Sequence, residues 1–212
     1  MIVYTANFDG YDRVPPNEHR DVKHVLFTDE DVKVPGWHVK VVERQFDNAA
    51  KDNRFYKLQP HVHFPDEVTL YIDACMQLKT HPRDLLHFYA SQAPLTPVNL
   101  YAIEHPLGHT LPMEFDWVQE KGFVKPDVLQ AVRSRYAHVP QDQVGIEARL
   151  LIHMGGERKF FDTWWNEVRE YAHRDQISFH YARHHANPRM FTLPMPTVRP
   201  HFRLQPHAKG HR

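Results

Sequence analysis

Asp73 ends the apolar run VTLYI, and a carboxylate in that position is placed to ligate a hard divalent cation. An aspartate just past a strand also serves as a turn residue or helix N-cap, and the spacing leaves both open. Other apolar runs end the same way. Thr5, Asn7 and Asp9 close and follow IVYT, Asp29 follows KHVLF, and Glu104-His105 follow VNLYAI. Ligands of open α/β sheets bind beyond the carboxyl ends of the strands, so these are the residues to inspect. Arg174-Asp175-Gln176 precedes a further apolar segment, ISFHYA. A carboxylate flanked by a cation and an amide either builds a polar network in a cleft or caps that segment. Cys75, two residues past Asp73, is the chain's one cysteine. With no second thiol to pair with, it reads as a small strand-end residue rather than a nucleophile. Glycine-rich phosphate loops, G-x-S-x-G, H-E-x-x-H and cysteine-rich zinc patterns are absent from the sequence.

The elements that must position these groups alternate along the chain. Strands are predicted at 2–5, 23–27, 37–43, 68–72, 98–103 and 149–153. VTLYI and VNLYAI are continuously apolar, as strands buried on both faces are. A helix is predicted over 48–58 with Asp47 or Asn48 as its cap, ended by Pro60. Another starts near Pro82 and puts Leu85, Leu86 and Tyr89 on one face. A third, over 126–137, aligns Val128, Leu129, Val132 and Tyr136 behind Pro126. Over 157–172, Phe160, Phe161, Trp164, Trp165, Val168 and Tyr171 form a stripe. Strands alternating with helices predict an α/β fold with a mainly parallel sheet.

Composition bounds the rest. The 212 residues carry 26 basic and 26 acidic side chains, which argues against coating nucleic acid by bulk charge. No apolar stretch approaches the roughly 18 residues of a membrane span. The opening MIVYTANFDG lacks the basic and apolar regions of a secretory signal, so a cytoplasmic setting is expected. The 18 histidines run from His19 to His211 with no dense tract, which points to scattered polar residues rather than metal storage. The tail differs. After Asp175 there is no acidic residue, while Arg183, Arg189, Arg199, Arg203, Lys209 and Arg212 follow. It reads either as a proline-rich strap over the body or as a cationic surface for a phosphate-bearing ligand.

The stretch RFYKLQPHVHFPDEVTLYIDACMQL, Arg54 to Leu78, resembles the glycosyltransferase-like domain of plant seed-mucilage and pectin-related proteins and of many bacterial proteins. The matching residues are Arg54, Lys57, Pro60, His61, Phe64, Pro65, Ile72, Asp73, Gln77 and Leu78. VYTANFDGYD, VLFTDE, GIEARLLIH, WWNEV and RDQISF agree in order, so the similarity spans about residues 3–181.

The resemblance implies a single GT-A, Rossmann-like domain over residues 1–181, with 182–212 as a basic extension packed on it. It implies a nucleotide-diphosphate sugar as donor, expected to be a UDP-sugar, and a divalent cation, Mn²⁺ or Mg²⁺. Carried over residue by residue, Tyr4, Thr5 and Asp9 would lie near the nucleoside. Arg54 and Lys57 would face the diphosphate, Asp73 the metal, and Glu147 and Asp175, with Arg174, the sugar or acceptor. The family's D-x-D metal motif is incomplete, because Ala74 and Cys75 follow Asp73. A replacement ligand is therefore expected among the histidines, with His180 and His105 as candidates. The acceptor is expected to be a hydroxyl of a glycan, a small molecule or a hydroxymethylated base of phage DNA. These 212 residues show no counterpart of the plant relatives' membrane anchor, so a free cytosolic enzyme of a bacterium or phage is expected. The competing expectation is a non-catalytic module that binds a nucleotide or polyanion.

Overall fold

The computed structural model describes residues 1–171 and 174–208. The strands are β1 (Ile2–Asn7), β2 (Lys23–Thr28), β3 (His38–Val41), β4 (Thr69–Ile72), β5 (Met76–Leu78), β6 (Leu100–Glu104), β7 (Ile146–His153), β8 (Met190–Leu193) and β9 (Phe202–Leu204). The helices are α1 (Ala49–Leu58), α2 (Pro60–His63), α3 (Pro82–Gln92), α4 (Leu111–Lys121), α5 (Pro126–Arg135), α6 (Arg158–Glu170), α7 (Asp175–Ala186) and α8 (Met195–Val198).

Seven strands form one sheet in the order β3-β2-β1-β4-β7-β6-β8. β7 runs antiparallel to both its neighbours, and every other pairing in this sheet is parallel. This is the predicted single-domain α/β architecture with a mixed, mainly parallel sheet. β1 and β4 are buried along their whole length, which explains their unbroken apolar runs. Side chains alternate across the sheet. Tyr4, Ala6 and Phe27 join Tyr56 of α1, Phe160, Phe161, Trp164 and Trp165 of α6 and Phe179 of α7. Val3, Leu70, Ile72 and Ile152 face the other layer, with Leu85 and Tyr89 of α3, Val198 and Phe202. A third cluster packs α4 and α5 onto Ile177 of α7.

The predicted elements are present with shifted edges. Asn48 is the cap of α1, its side chain accepting from the Ala50 N–H at 2.8 Å. Pro60 does follow the end of α1, but it also opens the short helix α2. β7 starts earlier than predicted because Ile146 and Ala148 also enter the core. Val128 and Leu86 are only half buried, so the stripes of α5 and α3 rest mainly on Leu129, Val132 and Tyr136 and on Leu85 and Tyr89. The end of the predicted 157–172 helix lies partly outside the described residues. No helix among the described residues is long and apolar enough to cross a membrane.

The last part of the chain is woven into the body. The expected 181/182 boundary falls within α7, β8 extends the main sheet beside β6, and β9 pairs with β5. Leu193, Val198 and Phe202 of this stretch are core residues. Phe202 is 1% exposed. Phe202→Ala should therefore cost about 3–5 kcal/mol, read as a lower urea midpoint at unchanged slope. A variant within 1 kcal/mol of wild type, an amount on the order of an ordinary surface change, would show that the β9 segment is not part of the cooperative unit.

Candidate active site

β1, β2, β4 and β6 all point the same way, so their carboxyl ends lie along one edge of the sheet. The antiparallel β7 brings its beginning, Ile146-Glu147, to that edge opposite Ile103 and Glu104. Asp9, Asp29, Asp73, Glu104, His105 and Glu147 thus share one rim. Asp9 takes a left-handed backbone, φ 57°, and its N–H donates to Asp29 at 2.9 Å, tying the turn after β1 to the turn after β2.

The centre of the rim is a charge cluster built from three elements. Arg54 and Lys57 stand one helical turn apart on α1. Asp175 is the first residue of α7. Lys57 Nζ donates to Asp175 Oδ2 at 2.6 Å and lies 3.8 Å from Asp73 Oδ1. Arg54 donates to the other Asp175 oxygen at 3.4 Å. The Tyr71 hydroxyl donates to Asp73 Oδ1 at 3.0 Å, and Lys57 Nζ lies 5.2 Å from the Tyr71 ring centre. Tyr4 and Thr5 are buried in β1, and the Tyr4 hydroxyl donates to the Lys57 carbonyl at 3.0 Å.

Asp175 is 4% exposed. Burial, the largest influence, raises its pKa. The charges of Lys57, Arg54 and Arg174, with the Lys57 hydrogen bond, outweigh it and hold the carboxyl far below the ordinary range. The N-cap position of α7 is held by Arg174, whose side chain makes no capping hydrogen bond, and Asp175 follows as the first helical residue. The Asp175 carboxylate faces α1, and the Trp164 indole N–H donates to the Asp175 backbone carbonyl at 2.8 Å.

Beyond Asp175 the cluster continues through Arg174. Its guanidinium lies 4.8 Å from the Phe123 ring centre and 5.3 Å from that of Trp117, and 3.9 Å from Glu114. Burial lowers the Arg174 pKa and raises that of Glu114. His109 Nδ1 is 3.1 Å from Glu114, and the His105 and His109 rings stack at 4.3 Å. Burial pushes His105 down to about 4, so it is neutral at pH 7. Glu147 pairs with Arg149 at 3.0 Å. His180 is buried against Gly145, where a Cβ would meet its ring nitrogen at 2.9 Å; this close approach favours glycine at the start of β7.

Three groups of side chains among the described residues offer ligand atoms close enough to share a cation: His138, His184 and His185; His105, His109 and Glu114; and Asp12, Cys75 and His207. The third borders Asp73, whose charge acts on both Asp12 and Cys75. His105 falls in a different group, and His180 in none of the three. The β5–β9 ribbon explains the third. Met76 lies opposite Leu204, and the Gln205 N–H donates to the Cys75 carbonyl at 2.8 Å, which carries His207 back alongside Asp73. Asp12 and His207 are 2.7 Å apart. Burial, with Asp73 and Asp12, pushes the Cys75 thiol up to about 12. Sequence reasoning missed Asp12, His207, Tyr71 and Glu114, and passed over Cys75. The one available signal was that Cys75 stands where the second carboxylate of D-x-D would.

The tail's cations are largely engaged. Arg183 donates to the Val144 carbonyl, Arg199 to the Phe202 carbonyl, and Arg189 pairs with Glu157. Lys209 and Arg212 lie outside the described residues.

No protein-family model matches this chain, and no curated protein does. Among solved structures, apo WbbM, a bifunctional glycosyltransferase, superposes with a TM-score of 0.50 at 13% identity, over 92% of this chain and 38% of that one. Apo mouse xyloside xylosyltransferase 1 gives 0.47 at 11% identity, over 92% and 84%. The chain thus spans well under half the length of WbbM, with which it shares a fold found in glycosyltransferases.

The buried Asp175 cluster makes a stability prediction. Asp175→Asn leaves Lys57 and Arg54 without their shared counter-charge and should cost ~3 kcal/mol in chemical denaturation at neutral pH. The pKa of Asp175 is depressed by folding. Its contribution is therefore present above the unfolded-state pKa of about 4, and is lost as pH falls through the folded value. On acidification from about pH 5 the wild type should lose more stability than Asp175→Asn, so the two curves converge. Parallel curves would show that the ion pair does not hold α7 to α1.

Proposed function

We propose that this chain is a glycosyltransferase that takes a nucleotide-diphosphate sugar and moves the sugar to a hydroxyl acceptor. The observation that carries the reading is the Arg54–Lys57–Asp175–Asp73 cluster at the carboxyl edge of a sheet whose fold occurs in glycosyltransferases. The resemblance of Arg54–Leu78 to the mucilage-related and bacterial domain supports the same assignment, because its most specific residues are those the fold brings together.

Cleaving a sugar from a diphosphate puts negative charge on the leaving group. Arg54 and Lys57 stand where they can take up that charge, in a site poor in water. Asp175 keeps both cations fixed in place. Since it is ionised throughout the neutral range, its own part is electrostatic: its negative field favours the cationic, oxocarbenium-like sugar of the transition state. It is a poor proton acceptor because both oxygens are already paired. Tyr71 and Lys57 orient Asp73, and Tyr4 braces the backbone that carries Lys57.

The fold class commonly employs a divalent cation beside the diphosphate. A carboxylate, a thiol and an imidazole beside Asp73 fit such an ion, and Asp12, Cys75 and His207 would hold it. When bound, it adds Lewis-acid charge to the leaving diphosphate. The acceptor is assigned as a hydroxyl of a glycan, a small molecule or a hydroxymethylated base of phage DNA.

The test is nucleotide release from a panel of UDP-, GDP- and ADP-sugars, with and without divalent cations, followed by the panel of acceptors. Arg54→Gln leaves the Lys57–Asp175 pair in place and should lower turnover about 100-fold, the scale of one lost donor to a developing anion. A protein that binds nucleotide sugars but never releases nucleotide is a binding module. One that neither binds nor turns over any of them refutes the reading.

A further inference from the structure

We infer that Asp12, Cys75 and His207 form a site for a thiophilic divalent cation of the Zn²⁺ or Co²⁺ kind, bound through the Cys75 thiolate. The inference deepens the donor-site reading by naming the ion the site takes, and its test does not depend on catalysis.

The geometry carries it. One carboxylate, one sulfur and one imidazole reach the same point from three separate parts of the chain, with their ligand atoms all within 4.8 Å of one another. Asp12 sits in the loop after β1, Cys75 in the turn between β4 and β5, and His207 just past β9. The β5–β9 ribbon and the Gln205–Cys75 backbone hydrogen bond bring the segment that carries His207 beside Cys75. The Tyr11 ring packs on His207 at 5.3 Å, and the Asn7 side chain holds the Asp12 backbone by two hydrogen bonds, Asn7 Nδ2 donating to the Asp12 carbonyl and the Asp12 N–H to Asn7 Oδ1. Ligands supported from behind in this way are the mark of a built site.

The donor set decides the ion. Mg²⁺ and Ca²⁺ demand oxygen ligands, whereas sulfur with nitrogen suits Zn²⁺ and its neighbours. On binding, the thiol proton passes to solvent and the sulfur lone pair forms the metal bond; nothing is oxidised or reduced. The other two groups of potential ligands contain no sulfur.

The experiment is a Co²⁺ titration of the full, metal-free chain followed by absorption spectroscopy, with Mg²⁺ and Zn²⁺ as competitors. Cys75 is the only cysteine among 212 residues, so an intense thiolate-to-cobalt charge-transfer band has one possible origin. The expected result is that band at one equivalent, removed by Zn²⁺ and untouched by Mg²⁺. It should be lost in both Cys75→Ser and Cys75→Ala, with folding checked by circular dichroism. His207→Ala should keep the band but need roughly 10-fold or more Co²⁺ to reach it. Cobalt bound without the band, a band insensitive to His207, or equal displacement by Mg²⁺ would each overturn the assignment. A band in a protein that ignores every nucleotide sugar leaves the metal site standing and removes the donor reading; turnover without a band does the reverse.

Discussion

The pairing of Asp175 with Lys57 and Arg54 is the interaction on which the architecture of the site depends. It joins the first turn of α7 to Arg54 and Lys57 of α1, two helices separated by more than half of the chain. Removing three charges from water is costly, and the geometry offsets that cost only because each carboxylate oxygen meets a cation. The apolar wall around it, Trp164, Phe160 and Phe179, strengthens the attraction by excluding solvent. Arg174, Glu114 and His109 then extend the same polar chain toward the end of β6.

Much of the fold was legible. β1, β4 and β6 are buried on both faces, so their apolar runs stand out, and the aromatic stripe of α6 follows from a period of 3.6. α4 was missed although Leu111, Phe115 and Val118 keep helical spacing, because the stripe is only three apolar residues long and the polar Glu114 shares its buried face. β5, β8 and β9 are three or four residues each and take their shape from pairing with distant partners, which no local pattern records.

The site was legible to a different extent at different positions. Asp73, Arg54, Lys57 and Asp175 stood out by strand-end placement or by likeness to a family, and the fold gathers them. The choice between cap and cleft for Asp175 lay beyond the sequence, since it turns on where the carboxylate points; the structure aims it at α1. Glu114 sits in an amphipathic helix and looks like any solvent-facing carboxylate until its burial is known. His207 was hidden among 18 histidines, because only the pairing of β9 with β5 gives it a neighbourhood.

That ribbon also sets an order of events during synthesis. Asp12 and Cys75 leave the ribosome early, while His207 emerges only after every strand of the main sheet has been made. The half of the rim formed by the β1 loop and the β4 turn therefore waits, incomplete, until the last strand has been released and has zipped onto β5. A nascent chain with most of its core in place still lacks one of the three side chains that converge beside Asp73. Asp12 and Cys75 are therefore made well before the third side chain that meets them.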